Sequence, residues 1–189
     1  MKTLMYIHGY GSTGQAYKAQ TLQQMFPDAR LVSPTFDYDR LTPDEVYGRL
    51  KRIIEEEKPE LIVGSSTGGY YALCCTRFYH GPVWCVNPVH DILGIIDRLL
   101  STQGWPADAV KERRALYETF DQEVYQTLRP ADGQLHFALS TDDELLGDHH
   151  PLLDRFPNYG SVVWKEQCGH RFFRFGELKK EIAASTEGR

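Results

Sequence analysis

The stretch PELIVGSSTGGYYALCC, residues 59–75, joins an apolar run to a cluster of small and hydroxylated residues and then to a second apolar segment. The run before Gly64 has the composition of a buried strand, and the segment from Tyr70 is compatible with a helix. Two adjacent serines flanked by glycines lie between them. The chain therefore combines backbone freedom with nucleophilic side chains at the end of a buried strand.

Residues 64–68 fit the pattern G-x-S-x-G at a predicted strand-to-helix junction. A nucleophile elbow requires this context, because its serine sits on a sharp, strained turn where neighbouring side chains must be nearly absent. Gly64 and Gly68, two residues to either side of Ser66, remove the Cβ atoms that would clash. The pattern predicts Ser66 as the nucleophile and Ser65 as a neighbour only.

The helix that begins beyond Ser66 directs its N-terminal N–H groups towards developing negative charge, so the Thr67 N–H is a candidate oxyanion donor. Glycine-rich strand-to-helix turns also bind phosphates, as in nucleotide-binding folds. Residues 64–69, GSSTGG, fit neither a GK[ST] motif nor a G-x-G-x-x-G motif, and this disfavours a nucleotide site at this turn.

A serine hydroxyl is a poor nucleophile unless a base takes its proton and a third group orients that base. Asp142, Asp143 and Glu144 follow the fifth predicted strand, and His170 follows the sixth. The order serine, acid, histidine is the one expected for this type of site. His170 is predicted as the base, and the acid is one of the carboxylates after the fifth strand.

Three other groups of candidate side chains are not expected to take part directly in the reaction. His149 and His150 resemble a metal-binding pair, but adjacent histidines point apart on a regular backbone, so we expect a solvated loop. His8 borders the end of the first predicted strand and is expected to shape the site without acting as base. Cys168 is expected to be a packed thiol.

Short β-type runs alternate with helical segments along the chain. The predicted strands are residues 3–8, 29–34, 60–65, 82–87, 135–140 and 161–166, and the predicted helices include 15–25, 42–57 and 69–79. Several strands are continuous apolar runs, as expected when both faces of a sheet are covered. The fold class predicted is α/β, a doubly wound, mostly parallel sheet of about six strands.

Residues 88–134 contain no convincing strand, and apolar residues there fall at helical spacing. This segment is predicted to be a helical insertion or small cap after the fourth strand; the alternative is an ordinary pair of crossover helices packed on the sheet. Residues 1–189 are expected to form a single domain.

Composition excludes several classes of function. The chain has 189 residues, of which 41% are hydrophobic and 25% are charged, with a net charge of −5 and a pI near 5.8. This charge balance disfavours binding to nucleic acid. No signal-peptide pattern or spanning apolar stretch is apparent, and the four cysteines show no CxxC spacing. We expect a cytoplasmic protein with no membrane insertion, metal or cofactor, and nothing in the sequence indicates an oligomeric state.

Four blocks together resemble a known family. YIHGYGSTGQAYKA (residues 6–19) is similar to an opening H-G-F-x-S-S with a lysine further on, and GSSTGGYYA (64–72) nearly repeats the family's elbow. VNP (86–88) and the acid and histidine loops complete the set. The chain resembles the α/β-hydrolase superfamily, most closely the small YqiA-like esterases, from residue 6 to about 173.

The resemblance implies further assignments. Its acid pattern, an aspartate followed by one residue and two aliphatics, fits Asp143 best and leaves Asp142 as runner-up. It also implies that the residue after the His-Gly pair, Tyr10, supplies the second oxyanion N–H, with Gly11 as the alternative. Thr67 departs from the leucine that commonly follows the family's serine, so the pocket wall there is expected to be more polar.

The sequence thus predicts a serine hydrolase acting on a small-molecule acyl ester, or a thioester, through Ser66, Asp143 and His170. Amide hydrolysis and acyl transfer use the same machinery. The alternative is a non-catalytic α/β-hydrolase scaffold that binds a small ligand or a protein partner. Aromatic residues that could line an acyl pocket, or belong to the core, are Phe36, Tyr70, Tyr71, Trp105 and Phe172.

Overall fold

Six strands form one sheet in the order β2-β1-β3-β4-β5-β6, and every neighbouring pair is parallel. The structure is a computed structural model that describes residues 2–186. The strands are β1 (Thr3–Ile7), β2 (Arg30–Val32), β3 (Leu61–Ser65), β4 (Val83–Val86), β5 (Leu135–Ser140) and β6 (Ser161–Lys165). The predicted doubly wound α/β fold is confirmed, and the sheet is wholly parallel.

Seven α-helices connect and follow these strands in the described part of the chain. They are α1 (Tyr17–Met25), α2 (Pro43–Glu57), α3 (Thr67–Cys75), α4 (Ile92–Thr102), α5 (Ala107–Glu123), α6 (His150–Arg155) and α7 (Lys179–Ala184). The third helix begins two residues before the predicted start and ends in tight turns, where the Thr76 N–H donates to Leu73 O at 3.1 Å.

The core divides into two clusters, one on each face of the sheet. Met5 and Ile7 of β1 pack with apolar residues of α2 to α6, whereas Leu4 and Tyr6 pack with α1 and α7. Successive strand residues point to opposite faces, so burial of both faces requires the continuous apolar runs seen in the sequence.

The helix α2 shows how local signals set an element boundary. Thr42 Oγ1 accepts a hydrogen bond from the Glu45 N–H at 3.2 Å, while Glu45 Oε2 accepts one from the Thr42 N–H at 2.7 Å. This capping box and Pro43 in the first position begin the helix where the sequence predicts.

The strand order reverses between β1 and β3, because the chain leaves β1 towards β2 on one side and returns to form β3 on the other. In open parallel sheets, the loops after two such strands leave a crevice at their carboxyl ends. Here those loops carry Tyr10 and Ser66, so the fold brings them together.

The segment between β4 and β5 contains α4 and α5 and, within the described residues, no strand. These helices pack over α3: Tyr71 Oη donates to Tyr117 Oη at 3.2 Å, and the rings of Tyr70 and Phe120 lie 6.3 Å apart. Residues 88–134 therefore supply helical cover for one face of the sheet.

Between residues 2 and 186, no helix is both long and apolar enough to cross a lipid bilayer. The cysteines are free, buried thiols at Cys74, Cys75, Cys85 and Cys168.

Candidate active site

Ser66 lies on a strained turn between β3 and α3. Its φ of 56° and ψ of −123° place a residue with a Cβ in the left-handed region, at a cost on the order of 1–3 kcal/mol. The neighbouring chain holds it there: the Ser66 N–H donates to Val86 O at 3.0 Å, and Ser66 O accepts from the N–H groups of Tyr70 and Val89, each at 3.1 Å. Such local strain is characteristic of functional sites.

Close backbone packing explains the two glycines of the elbow. A Cβ on Gly68 would lie 2.1 Å from Ile7 O, and one on Gly64 would lie 2.3 Å from Gly68 O. Both distances are far below van der Waals contact. The turn at Ser66 is therefore compatible only with glycine at these positions, unless the backbone shifts.

Ser66, His170 and Asp143 form a continuous line of polar groups. His170 Nε2 lies 2.9 Å from Ser66 Oγ, and His170 Nδ1 lies 3.0 Å from Asp143 Oδ2 and 3.1 Å from Oδ1. The three side chains come from the carboxyl ends of β3, β5 and β6, and the His170 side chain is 13% exposed. An imidazole in this position can take a proton from the hydroxyl while the carboxylate stabilises its positive form.

Asp143 is buried and accepts several hydrogen bonds. Besides His170, its donors are the Leu145 N–H at 3.0 Å, the Leu146 N–H at 2.8 Å and His149 Nε2 at 3.1 Å. Burial alone would raise the pKa of Asp143, but the hydrogen bonds from His149, His170 and Leu146 outweigh it and hold that pKa well below its ordinary value. The carboxyl group therefore stays ionised beside the imidazole.

Asp142 and Glu144 accept hydrogen bonds from backbone N–H groups of the loop that carries His170. Asp142 Oδ1 accepts from the N–H groups of Cys168, at 3.1 Å, and Gly169, at 3.3 Å. Glu144 Oε2 accepts from the His170 N–H at 2.7 Å. The structure thus places Asp143, not Asp142, against the imidazole.

Asn87, directly after β4, ties the same loop to β5. Its Nδ2 donates to Gly169 O at 3.0 Å and to His170 O at 3.1 Å, and its Oδ1 accepts from the Ser140 N–H at 2.8 Å. Asn87 is fully buried and has φ of 40°, a conformation that asparagine tolerates better than most residues. Sequence reasoning noted this residue only as part of a resemblance, although a polar residue ending a buried strand is a usable signal.

The two backbone N–H groups that the sequence predicts as oxyanion donors belong to Thr67 and Tyr10. Thr67 is the first residue of α3, so its N–H has no acceptor within the helix. The Tyr10 N–H has no acceptor among residues 2–186, and Tyr10 Oη pairs with Asp39 and lies 2.9 Å from Gln103 Oε1. Gly11, the alternative donor, follows with φ of 66°.

The expectation of a solvated loop is wrong for His149. Its side chain is fully buried, and Nε2 contacts Asp143, whereas His150 is exposed and pairs with Asp148 at 2.6 Å. The two rings do point apart, because α6 begins here and turns one of them inwards. The ring of His149 packs against that of His90 with centroids 5.7 Å apart.

His8 and Cys168 are buried beside the site. His8 Nε2 accepts from the Phe36 N–H at 2.9 Å, which joins the loops after β1 and β2. Burial lowers the pKa of His8, because it disfavours the charged ring, and a hydrogen bond with Gly9 O opposes this effect.

Two cavities flank the elbow. A cleft of about 730 Å³, called the His170 cleft below, reaches Ser66 and His170, and its lining includes Gly11, Tyr17, Lys18, Arg171 and Phe173. A small pocket of about 20 Å³, the α4 pocket, lies beside Tyr10 and Thr67 and is lined mainly by Tyr38, Ile92, Ile96 and Leu99.

The aromatic residues considered for an acyl pocket lie elsewhere. Phe36, Tyr70, Tyr71 and Phe172 are core residues, Trp105 packs at the edge of the core, and none of them lines either cavity. No group of three or more His, Cys, Asp or Glu side chains in the described part of the chain is arranged to hold a metal ion.

Comparison with known proteins identifies the family. Residues 3–186 match the profile of the Uncharacterised protein family (UPF0227), and the chain belongs to that family. A UPF0227 protein of Vibrio vulnificus is 25% identical over 195 residues, which cover 97% of this chain and 98% of the relative. This match agrees with the resemblance to the small YqiA-like proteins that the sequence indicates.

Solved structures with low sequence identity share the fold. Alpha/beta hydrolase domain-containing protein 10 from mouse is 16% identical with a TM-score of 0.70, covering 96% of this chain and 88% of that one. A monoacylglycerol lipase from Paleococcus ferrophilus is 11% identical with a TM-score of 0.68, covering 97% and 93%. These similarities show that the chain has the α/β-hydrolase fold.

Proposed function

We propose that this member of the UPF0227 family is a serine hydrolase that cleaves carboxylic esters or thioesters through an acyl-enzyme on Ser66. The observation that carries the proposal is the unbroken hydrogen-bonded line from Ser66 through His170 to Asp143 at a serine with positive φ. The lipase named among proteins of similar fold agrees with this proposal.

In the first half of the reaction, Ser66 Oγ attacks the acyl carbonyl as His170 Nε2 takes its proton. The bond between the acyl carbon and the leaving oxygen or sulfur then breaks, and His170 returns the proton to that atom. Asp143 holds the Nδ1–H and stabilises the positive ring. Water, activated by His170, attacks the acyl-enzyme in the second half and releases the acid and Ser66.

The backbone N–H groups of Thr67 and Tyr10 stabilise the tetrahedral oxyanion in both halves. Removing one such donor typically costs about 3 kcal/mol of transition-state stabilisation. Because both donors belong to the main chain, the threonine side chain at position 67 is compatible with this role.

Steady-state hydrolysis of short acyl esters tests the proposal. Ser66→Ala should lower kcat by about 10⁴-fold or more, because no acyl-enzyme can form. The matched control is Ser65→Ala, which removes the adjacent hydroxyl and should keep most of the activity. Well-folded wild-type protein that hydrolyses no ester or thioester would contradict the proposal and favour a binding scaffold.

A further inference from the structure

Two cationic side chains line the His170 cleft. Lys18 lies in the first turn of α1 and is partly buried, and Arg171 directly follows His170. Neither has an ion-pair or hydrogen-bond partner from a side chain within residues 2–186, and none of the residues lining the cleft is acidic. A chain with a net charge of −5 thus presents two unpaired positive charges next to its candidate nucleophile.

The two charges act on each other. Burial first, and then repulsion from Arg171, lower the pKa of Lys18 to about 8. Holding a cation under these conditions costs free energy. A bound anion would remove that cost, because it would favour the charged form of Lys18 and lie within reach of Arg171.

The N-terminus of α1 also contributes positive electrostatic potential to the His170 cleft. Its first turn carries no acidic residue, and no side chain caps it. The N-terminal N–H groups of a helix favour negative charge nearby. This feature supports an anion in the cleft, while the two side chains provide the specific contacts.

The position of His170 indicates which part of a substrate occupies the cleft. In the proposed reaction, His170 must protonate the leaving oxygen or sulfur, so the leaving group lies on the side of His170. That side is the His170 cleft. The α4 pocket, on the side of Thr67 and Tyr10, is mainly apolar, but its volume of about 20 Å³ has room for no more than about one water molecule.

We infer that the substrate is an ester or thioester whose leaving alcohol or thiol carries an anionic group, a phosphate or a carboxylate, bound by Lys18 and Arg171 in the His170 cleft. The inference rests on the proposed function and names the substrate class for that same site. Arg171 supplies a planar pair of donors, and Lys18 supplies a point charge.

Three butyrate esters with a common ethylene spacer test the inference. Their leaving alcohols are 2-hydroxyethyl phosphate, 3-hydroxypropionate and the neutral 2-methoxyethanol. For wild type, kcat/KM should be about tenfold or more higher for at least one anionic ester than for the neutral ester, as expected for hydrogen bonds between charged groups. The two anionic arms distinguish a phosphate site from a carboxylate site.

Variants of Lys18 and of a lysine outside the cleft test whether the preference for anionic esters depends on Lys18. Lys18→Met should lower the anionic-to-neutral ratio of kcat/KM several-fold, because only Arg171 remains to bind the anion, and Lys18→Arg should keep it high. Lys51→Met makes the same charge change on the exposed face of α2 and should leave the ratio as in wild type.

Equal kcat/KM values for the anionic and neutral esters in wild type would overturn the inference while leaving the proposed function intact. An equal loss of preference in Lys51→Met would overturn it too, because a general charge effect would then be responsible. Hydrolysis of none of the three esters would contradict the proposed function, and the inference would fall with it.

Discussion

His149 Nε2 lies 3.1 Å from Asp143 Oδ2, the same carboxylate oxygen that His170 Nδ1 approaches at 3.0 Å. Asp143 is therefore held between two histidines, one buried and one facing the cleft. Together with the N–H groups of Leu145 and Leu146, they fix the carboxylate in one orientation. His149 thus contacts the candidate acid from the buried side of the site.

Substitution of the two neighbouring aspartates should have very different effects on ester hydrolysis. Asp143→Asn should lower kcat by about 10³–10⁴-fold, because it removes the charge that stabilises protonated His170. Asp142→Asn should change kcat by less than about tenfold, since an amide oxygen can still accept from Cys168 and Gly169. The reverse ranking in steady-state kinetics would show that the acid is misassigned.

The depressed pKa of Asp143 makes a prediction about stability and pH. A carboxyl group whose folded-state pKa is lower than its unfolded value stabilises the fold above the unfolded value, ordinarily 3.8, and this contribution is lost as the pH falls further. The wild type should therefore lose stability relative to Asp143→Asn as the pH falls from 6 to 3. Urea unfolding at several pH values measures this difference, and a difference that does not change with pH would contradict the argument.

A pair of glycine substitutions tests the tight packing at the elbow. Gly68→Ala should lower the free energy of unfolding by about 3 kcal/mol, because its Cβ would meet the backbone oxygen of Ile7 at 2.1 Å. Gly48→Ala, in the middle of α2 with open space around it, should raise that free energy by about 0.5–1 kcal/mol. Equal effects of the two changes in denaturant unfolding would argue against the packing described for the elbow.

The lowered pKa of Lys18 predicts how the preference for anionic esters depends on pH. Lys18 is charged below a pKa of about 8 and neutral above it, so the anionic-to-neutral ratio of kcat/KM should fall as the pH rises from 7 to 9. The other titratable or charged groups lining the cleft are Tyr6, Tyr10, Tyr17, His170 and Arg171. Lys18→Arg separates Lys18 from these groups, because arginine stays charged and should keep the ratio high at pH 9. A ratio that falls equally in both proteins would assign the change to another group.

The fold could be predicted because its signals are local. Short β-type runs, several of them continuously apolar, marked the six strands, and the turn at residues 64–68 marked the carboxyl edge of the sheet. The ends of the strands were predicted less exactly, because pairing with neighbouring strands decides them. The second strand spans only Arg30–Val32, since Ser33 and Pro34 leave the sheet for the loop towards Phe36.

The site could be predicted only in part, because some of its contacts depend on how distant loops pack. Ser66 and His170 could be proposed from motif and order along the chain, whereas the choice of Asp143 over Asp142 rested on the resemblance to a known family. The burial of His149 and the approach of Lys18 to Arg171 have no counterpart in local sequence pattern. A pair of adjacent histidines in a polar loop, or one lysine in an amphipathic helix, can be exposed in one fold and buried in another. Only the tertiary structure decides which.

The central claim is that Ser66 is an activated nucleophile, and intact-mass analysis after reaction with a fluorophosphonate tests it most directly. We expect a single adduct on wild type, mapped by peptide analysis to Ser66, present in Ser65→Ala and absent from Ser66→Ala. An adduct on another residue, or no adduct on well-folded wild type, would contradict the account.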